Sequence, residues 1–72
     1  MKEVNTIFSK NFKKFREDNN LTQEDIAKQA GLSRSYIADL ERGKRSPSLN
    51  TIDKLIRKTK IPFNYLFKDL IK

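Results

Sequence analysis

The sequence predicts an all-α domain built from five short helices. Apolar residues recur at helical spacing along the chain, and no segment alternates as a half-buried strand would. Thr22, Ser33 and Ser48 each stand just ahead of an apolar-periodic segment, where a small hydroxyl side chain can accept from the unpaired N–H groups of a first helical turn. Gly31 and Gly43, the two glycines, each follow such a segment, where a chain leaving a helix often turns left-handed.

The first helix carries Val4, Ile7, Phe8, Phe12 and Phe15 on one stripe, with Lys10, Lys13 and Lys14 largely off it. Asp18-Asn19-Asn20 breaks the pattern, so this helix spans roughly residues 5–18. Thr22 then caps a second helix, and Asp25 at its third position can return the bond, an aspartate version of the capping box. Leu21 and Ile26 are spaced as a hydrophobic staple across that cap. Ala27 and Ala30 continue the buried face with small side chains, so another helix can approach closely, and Gly31 ends the segment.

Ser33 opens the third helix, where Leu32 and Ile37 repeat the staple, Ile37 and Leu40 face inward, and Gly43 terminates. The second and third helices are joined by Gly31, Leu32 and the Ser33 cap alone. So short a link forces a sharp bend, which is the helix-turn-helix arrangement. Ser48, after Pro47, caps a fourth helix whose Leu49, Ile52, Leu55 and Ile56 are expected inward. Pro62 sits near the start of a fifth, where its missing N–H is harmless, and Phe63, Leu66, Phe67, Leu70 and Ile71 give it a wide apolar face.

A chain of 72 residues fits a single domain over 1–72 with an economical core. Zero cysteine and zero histidine remove disulfides, thiolate ligands, the commonest transition-metal ligand and the usual general base. No phosphate-binding glycine loop occurs, and the nine Asp and Glu are scattered or serve helix starts, so the sequence implies no enzyme, cofactor or metal, and shows no small-molecule ligand. No apolar run reaches the ~20 residues of a membrane span. The opening MKEVNTIFSK lacks the features of a secretory signal, so a cytoplasmic location is expected. Sixteen Lys and Arg against nine acids give a net charge of +7, which suits a phosphate backbone or an anionic membrane surface. Division of the apolar residues among five short helices argues for a folded core over one long membrane-lying face.

The segments Leu21-Thr22-Gln23-Glu24-Asp25-Ile26-Ala27, Gly31-Leu32-Ser33, Tyr36-Ile37, Leu40-Glu41-Arg42-Gly43 and Pro47-Ser48-Leu49 resemble the Cro/C1-type (XRE) helix-turn-helix family. The likeness spans roughly residues 8–67. It implies a compact five-helix, lambda-repressor-like fold with residues 22–30 as positioning helix and 33–42 as recognition helix. It further implies transcription regulation by a homodimer bound to double-stranded DNA at a two-fold related operator. Length and the aromatic C-terminal helix resemble the restriction–modification controller proteins of this family. The resemblance also implies that Arg16 pairs with Glu41 as a structural ion pair. An antitoxin-type module, which would bind a protein as well as DNA, is the alternative.

A recognition helix enters the major groove by its first turns, so its outward residues there meet base edges. Here those are Ser33, Arg34, Ser35, Tyr36 and, one turn on, Asp39. Arg34 can donate two bonds to guanine O6 and N7. Tyr36 has two readings: its ring packs beneath the helix, or its hydroxyl reaches phosphate. Asp39 accepts from cytosine N4, orients Arg34 or Arg42, or is merely exposed. Gln23, in the first turn of the positioning helix, suits a phosphate oxygen. Lys44 and Arg45 are expected along the DNA backbone, with a minor groove within reach of Arg45. The surplus apolar side chains of the last helix, Phe63, Tyr65 and Leu70, together with parts of the fourth helix, are expected at a dimer interface; the competing reading covers them with first-helix aromatics.

Overall fold

The computed structural model describes residues 2–68, with side chains from residue 4 onward. Five helices follow in order, α1 Lys2–Asp18, α2 Gln23–Ala30, α3 Arg34–Glu41, α4 Leu49–Thr59 and α5 Phe63–Leu66, with no strand among the described residues. The first helix starts three residues earlier than expected, a difference usual for a boundary read from sequence. The expected sites at Leu70 and Ile71 lie outside the described residues.

Helix α2 packs on α3 and α4, while α1 packs on α3 and α5. The core so enclosed consists of Phe8 and Phe12 from α1, Ile26, Ala27 and Ala30 from α2, Ile37 and Leu40 from α3, Leu55 from α4, then Ile61 and Leu66. Phe8 and Phe12 stack with centroids 5.5 Å apart. Full burial of each such ring stabilises the fold by about 1.5–3 kcal/mol. Ala27 and Ala30 are the small side chains through which α2 meets its neighbours, as their size suggested.

Polar groups enter this core only with partners. Asn11 is 1% exposed and its Nδ2 donates to Leu66 O at 2.9 Å, satisfying a carbonyl that the end of α5 leaves unpaired. The Ser9 hydroxyl lies 2.8 Å from Asn5 O and 2.6 Å from Leu40 O, joining α1 to the end of α3. Among the described residues no buried side-chain polar atom lacks a hydrogen bond.

Helix α4 corrects the sequence expectation. Leu49 was expected inward but is 86% exposed. The buried stripe is Thr51, Leu55 and Thr59, spaced four apart, with Ile52 and Ile56 half-buried along one border. At about 100° per residue, Leu49 points about 120° away from Leu55. Leu55 is therefore the centre of the buried face, with a threonine one turn to either side, while Leu49, Ile52 and Ile56 run along its border or outside it. Thr59 manages this by donating its hydroxyl to Leu55 O. The helix ends at Lys60 in the left-handed region, φ 65°, a position where glycine is the usual residue.

Candidate nucleic-acid interface

Local chemistry sets the α2–α3 unit. Thr22 Oγ1 accepts from Asp25 N at 3.0 Å, and Asp25 Oδ2 accepts from Thr22 N at 2.9 Å, closing the capping box in both directions. The Thr22 backbone N–H, and secondarily its hydroxyl, hold the Asp25 carboxyl below the ordinary carboxylate range. At the other end Gly31 adopts φ 71°, and Leu32 N donates to Ala27 O at 2.9 Å. A Cβ on Gly31 would meet nothing closer than Lys58 Nζ at 3.9 Å, so the backbone angle, and not space, requires glycine there.

Ser33 Oγ then accepts from Tyr36 N at 3.1 Å and starts α3. Ile37 and Leu40 face the core, which leaves Arg34 and Ser35 on the exposed first turn. Neither side chain has a hydrogen bond or ion pair among the described residues. Asp39 is engaged by Arg42, whose Nη2 donates to Asp39 Oδ1, and has no bond to Arg34. Of the two arginines that Asp39 could orient, Arg42 is the one it holds. Beyond α3, Lys44 and Arg45 are exposed, and Lys44 N donates to Asp39 O at 2.9 Å.

Tyr36 adopts the inward of its two arrangements. Its ring packs against the core cluster and its hydroxyl lies 2.8 Å from Thr51 Oγ1, so the outward, phosphate-seeking hydroxyl is not the one found. The Arg45 guanidinium lies over the same ring, its Cζ 5.4 Å from the centroid. Thr51 carried no sequence signal as a partner, because its 15-residue separation from Tyr36 is bridged only by packing.

Behind the exposed turn stands a polar cluster. Arg16 donates Nε to Glu41 Oε2 at 2.6 Å and Nη2 to Glu41 Oε1 at 3.0 Å, and donates Nη1 to Leu21 O at 2.8 Å. The Glu41 bond raises the Arg16 pKa further above its ordinary value, against the opposing effect of burial. Gln23 Nε2 donates to Glu41 Oε1 at 3.2 Å, so the amide is half-buried and one of its two hydrogens is committed inside the protein. An open depression of about 640 Å³ lies over this cluster, with Arg16, Asn20, Thr22, Gln23 and Arg34 on its wall. Gln23 and Arg34 thus border one concavity, while Ser33 and Ser35 lie exposed at the start of α3.

The expected dimer residues separate. Phe63 is 56% exposed. Tyr65 is half-buried, its ring edge-on to Phe15 at 5.5 Å and covered by Lys68 Nζ at 4.3 Å. First-helix aromatics therefore cover Tyr65 but leave Phe63 open, and Leu70 lies outside the described residues. No described helix is long and apolar enough to cross a membrane.

Residues 12–66 match the family described as helix-turn-helix. Control protein C.MunI of Mycoplasma sp is 36% identical over 73 aligned positions, which cover 100% of this chain and 99% of that protein. The immunity repressor protein of Bacillus phage phi105 is 49% identical over 41 residues, 57% of this chain but only 28% of the repressor. In structure the chain is similar to the wild-type restriction–modification controller protein C.Esp1396I, with a TM-score of 0.82 at 27% identity over 96% of this chain and 94% of that one. That controller protein is also known as a tetramer in complex with its natural 35 base-pair operator. Together with the capped α2–Gly31–α3 unit, these matches show that the chain belongs to the Cro/C1-type helix-turn-helix family.

Proposed function

We propose that this chain is a sequence-specific double-stranded DNA-binding regulator of transcription, acting in the cytoplasm as a homodimer on a two-fold related operator, in the manner of a restriction–modification controller protein. One observation carries the reading: the first turn of α3 presents Arg34 and Ser35 to solvent with no internal partner, beside the start of α2. An arginine fork left free at the leading edge of a short helix suits the guanine edge in a major groove. Likeness to a controller protein known on its operator supports the same reading.

In this arrangement Arg34 reads a base, with Ser33 and Ser35 supplying hydroxyls to bases or phosphate. Gln23 keeps one amide hydrogen on Glu41 and offers the other to a phosphate oxygen at the α2 N-terminus. Lys44 and Arg45 follow the flanking backbone. Tyr36 and Asp39 hold other residues in place. The second copy meets this one through Phe63 and the Leu49–Ile52–Ile56 border of α4, apolar side chains that the core leaves wholly or partly open. Two such α3 helices stand about one DNA turn apart, ~34 Å, and read related half-sites. The chain works by binding alone, without catalysis or a cofactor.

Selection of bound duplexes from random DNA, followed by titration at several salt concentrations, tests this. The expected result is a two-fold related consensus whose log affinity falls with log salt by about 0.9 per neutralised phosphate. Recovery of no consensus, with affinity equal for all duplexes, would rule out sequence-specific regulation.

A further inference from the structure

Arg45 is the one cation of the loop after α3 that rests on a ring, and its surroundings are unusually defined for an exposed side chain. Both chain neighbours of Arg45 are bonded: Lys44 N donates to Asp39 O at 2.9 Å, and the Ser46 side chain accepts at Oγ from Asn5 Nδ2 at 2.6 Å. Its guanidinium lies over the Tyr36 ring and has no carboxylate partner among the described residues. A contact with a ring face engages the cation without filling its N–H donors with carboxylate oxygens, so donors remain for an outside acceptor. A carboxylate clamp would instead occupy those donors.

The ring is itself held. Tyr36 bonds through its hydroxyl to Thr51 Oγ1 at 2.8 Å, and Thr51 is 5% exposed at the N-terminal end of the buried stripe of α4. Thr51 is set in turn by the α4 cap, since its N–H donates to Ser48 Oγ at 3.1 Å while Ser48 Oγ donates to Thr51 Oγ1 at 3.1 Å. Valine would fill that buried position with nearly the same shape, so the hydroxyl answers to Ser48 and Tyr36 and not to packing.

We propose that Thr51 is a positioning residue for DNA recognition: through the Tyr36 hydroxyl it sets the ring on which Arg45 rests, and so fixes the place of the Arg45 guanidinium before DNA arrives. The proposal rests on the DNA-binding reading above. Arginine loses rotamer freedom when it docks, and a side chain already seated on a ring loses less. A residue of α4 that touches no base or phosphate thereby contributes to affinity through another residue.

The test combines a measurement on the free protein with a binding cycle. In the free protein the Tyr36 ring current is expected to shift the Arg45 δ-protons upfield, and Thr51→Val is expected to reduce that shift. Tyr36→Phe removes the same hydrogen bond from the other side without touching the α4 stripe, and is expected to do likewise. With the duplex most often recovered from a randomised pool, Arg45→Ala is expected to weaken the native protein about threefold more than it weakens the Thr51→Val protein, a non-additivity that marks coupled residues. Thr51→Ser restores the hydroxyl and should restore both signals.

An equal effect of Arg45→Ala in the two backgrounds overturns the proposal. So does an Arg45 δ-proton shift that Thr51→Val and Tyr36→Phe leave unchanged. A native protein that binds no duplex overturns the functional reading and this proposal with it, while an intact shift response then locates the failure in DNA binding and not in the Tyr36–Arg45 contact.

Discussion

The Arg16 guanidinium grips the Glu41 carboxylate side-on, with Nε to Oε2 at 2.6 Å and Nη2 to Oε1 at 3.0 Å, across 25 residues of sequence. The pair joins the last turn of α1 to the last residue of α3, and Gln23 attaches the start of α2 to the same carboxylate. Three helices thus share one anion. Their relative angles decide where the first turn of α3 stands, so the ion pair is part of the geometry of the interface even though it lies behind it.

Side chains of the pair are 12% and 3% exposed, so losing one partner strands a charge largely out of water. Glu41→Ala is expected to destabilise the fold by about 3 kcal/mol in urea titration. Arg16→Met combined with Glu41→Leu should recover a large share of that loss, because no lone charge remains. If the double variant is as unstable as the single, the cost lies in shape and not in the stranded charge.

Arg34→Ala is expected to relax preference at one base pair in each half-site, worth about 1–3 kcal/mol of discrimination, with the rest of the consensus kept. Gln23→Ala should weaken all duplexes by a similar factor. Lys44→Ala should lower the salt slope by about 0.9 per protomer if it contacts one phosphate. Parallel selections on the three variants separate these roles. A consensus unmoved by Arg34→Ala would remove Arg34 as the residue that reads sequence.

Asp25 governs part of the acid response. Its folded-state pKa is lowered, first by the Thr22 backbone N–H and then by the Thr22 hydroxyl. Stability from a depressed carboxylate is fully present above its unfolded pKa, about 3.9, and is lost as pH falls through the lower folded value. Asp25→Asn is therefore expected to be less stable than the native protein at neutral pH, with the gap closing toward pH ~2. Urea unfolding at a series of pH values measures this directly. A gap that persists unchanged into strong acid would assign the loss to geometry.

Phe63 and Leu49 are exposed apolar side chains that the core does not use. Phe63→Lys and Leu49→Lys are each expected to weaken self-association in sedimentation while leaving the monomer's thermal unfolding nearly unchanged. Tyr65→Ala should do the reverse, because Tyr65 packs edge-on against Phe15. Unaltered sedimentation in both lysine variants would place the dimer surface elsewhere.

Much of the fold was legible along the chain because its signals are local. The Thr22–Asp25 box, the Ser33 and Ser48 caps and the left-handed Gly31 involve residues within a few positions of one another. The inward faces of α2 and α3 followed from spacing for the same reason. Arg34 and Ser35 at the leading edge of α3 were legible too, as the residues left over once Ile37 and Leu40 turn inward. Resemblance to the family supplied the Arg16–Glu41 partnership, which spacing alone does not indicate.

Packing between distant segments decided the rest. Which stripe of α4 turns inward depends on what α2 presents to it, and the answer seats Thr51 and Thr59 in the interior while leaving Leu49 in water. The same approach of α4 to α3 carries the Tyr36 hydroxyl to Thr51 and away from solvent. Asn5 meets Ser46 across 41 positions, and Asn11 meets Leu66 across 55. Amino-acid order by itself determined where each helix begins, ends and bends, because caps and glycines act on the backbone beside them. Tertiary structure alone determined which polar side chains face inward, because a buried hydroxyl or amide is tolerated only where its hydrogen bonds are completed, and for Asn11 and Ser9 packing brings a partner that is remote in sequence.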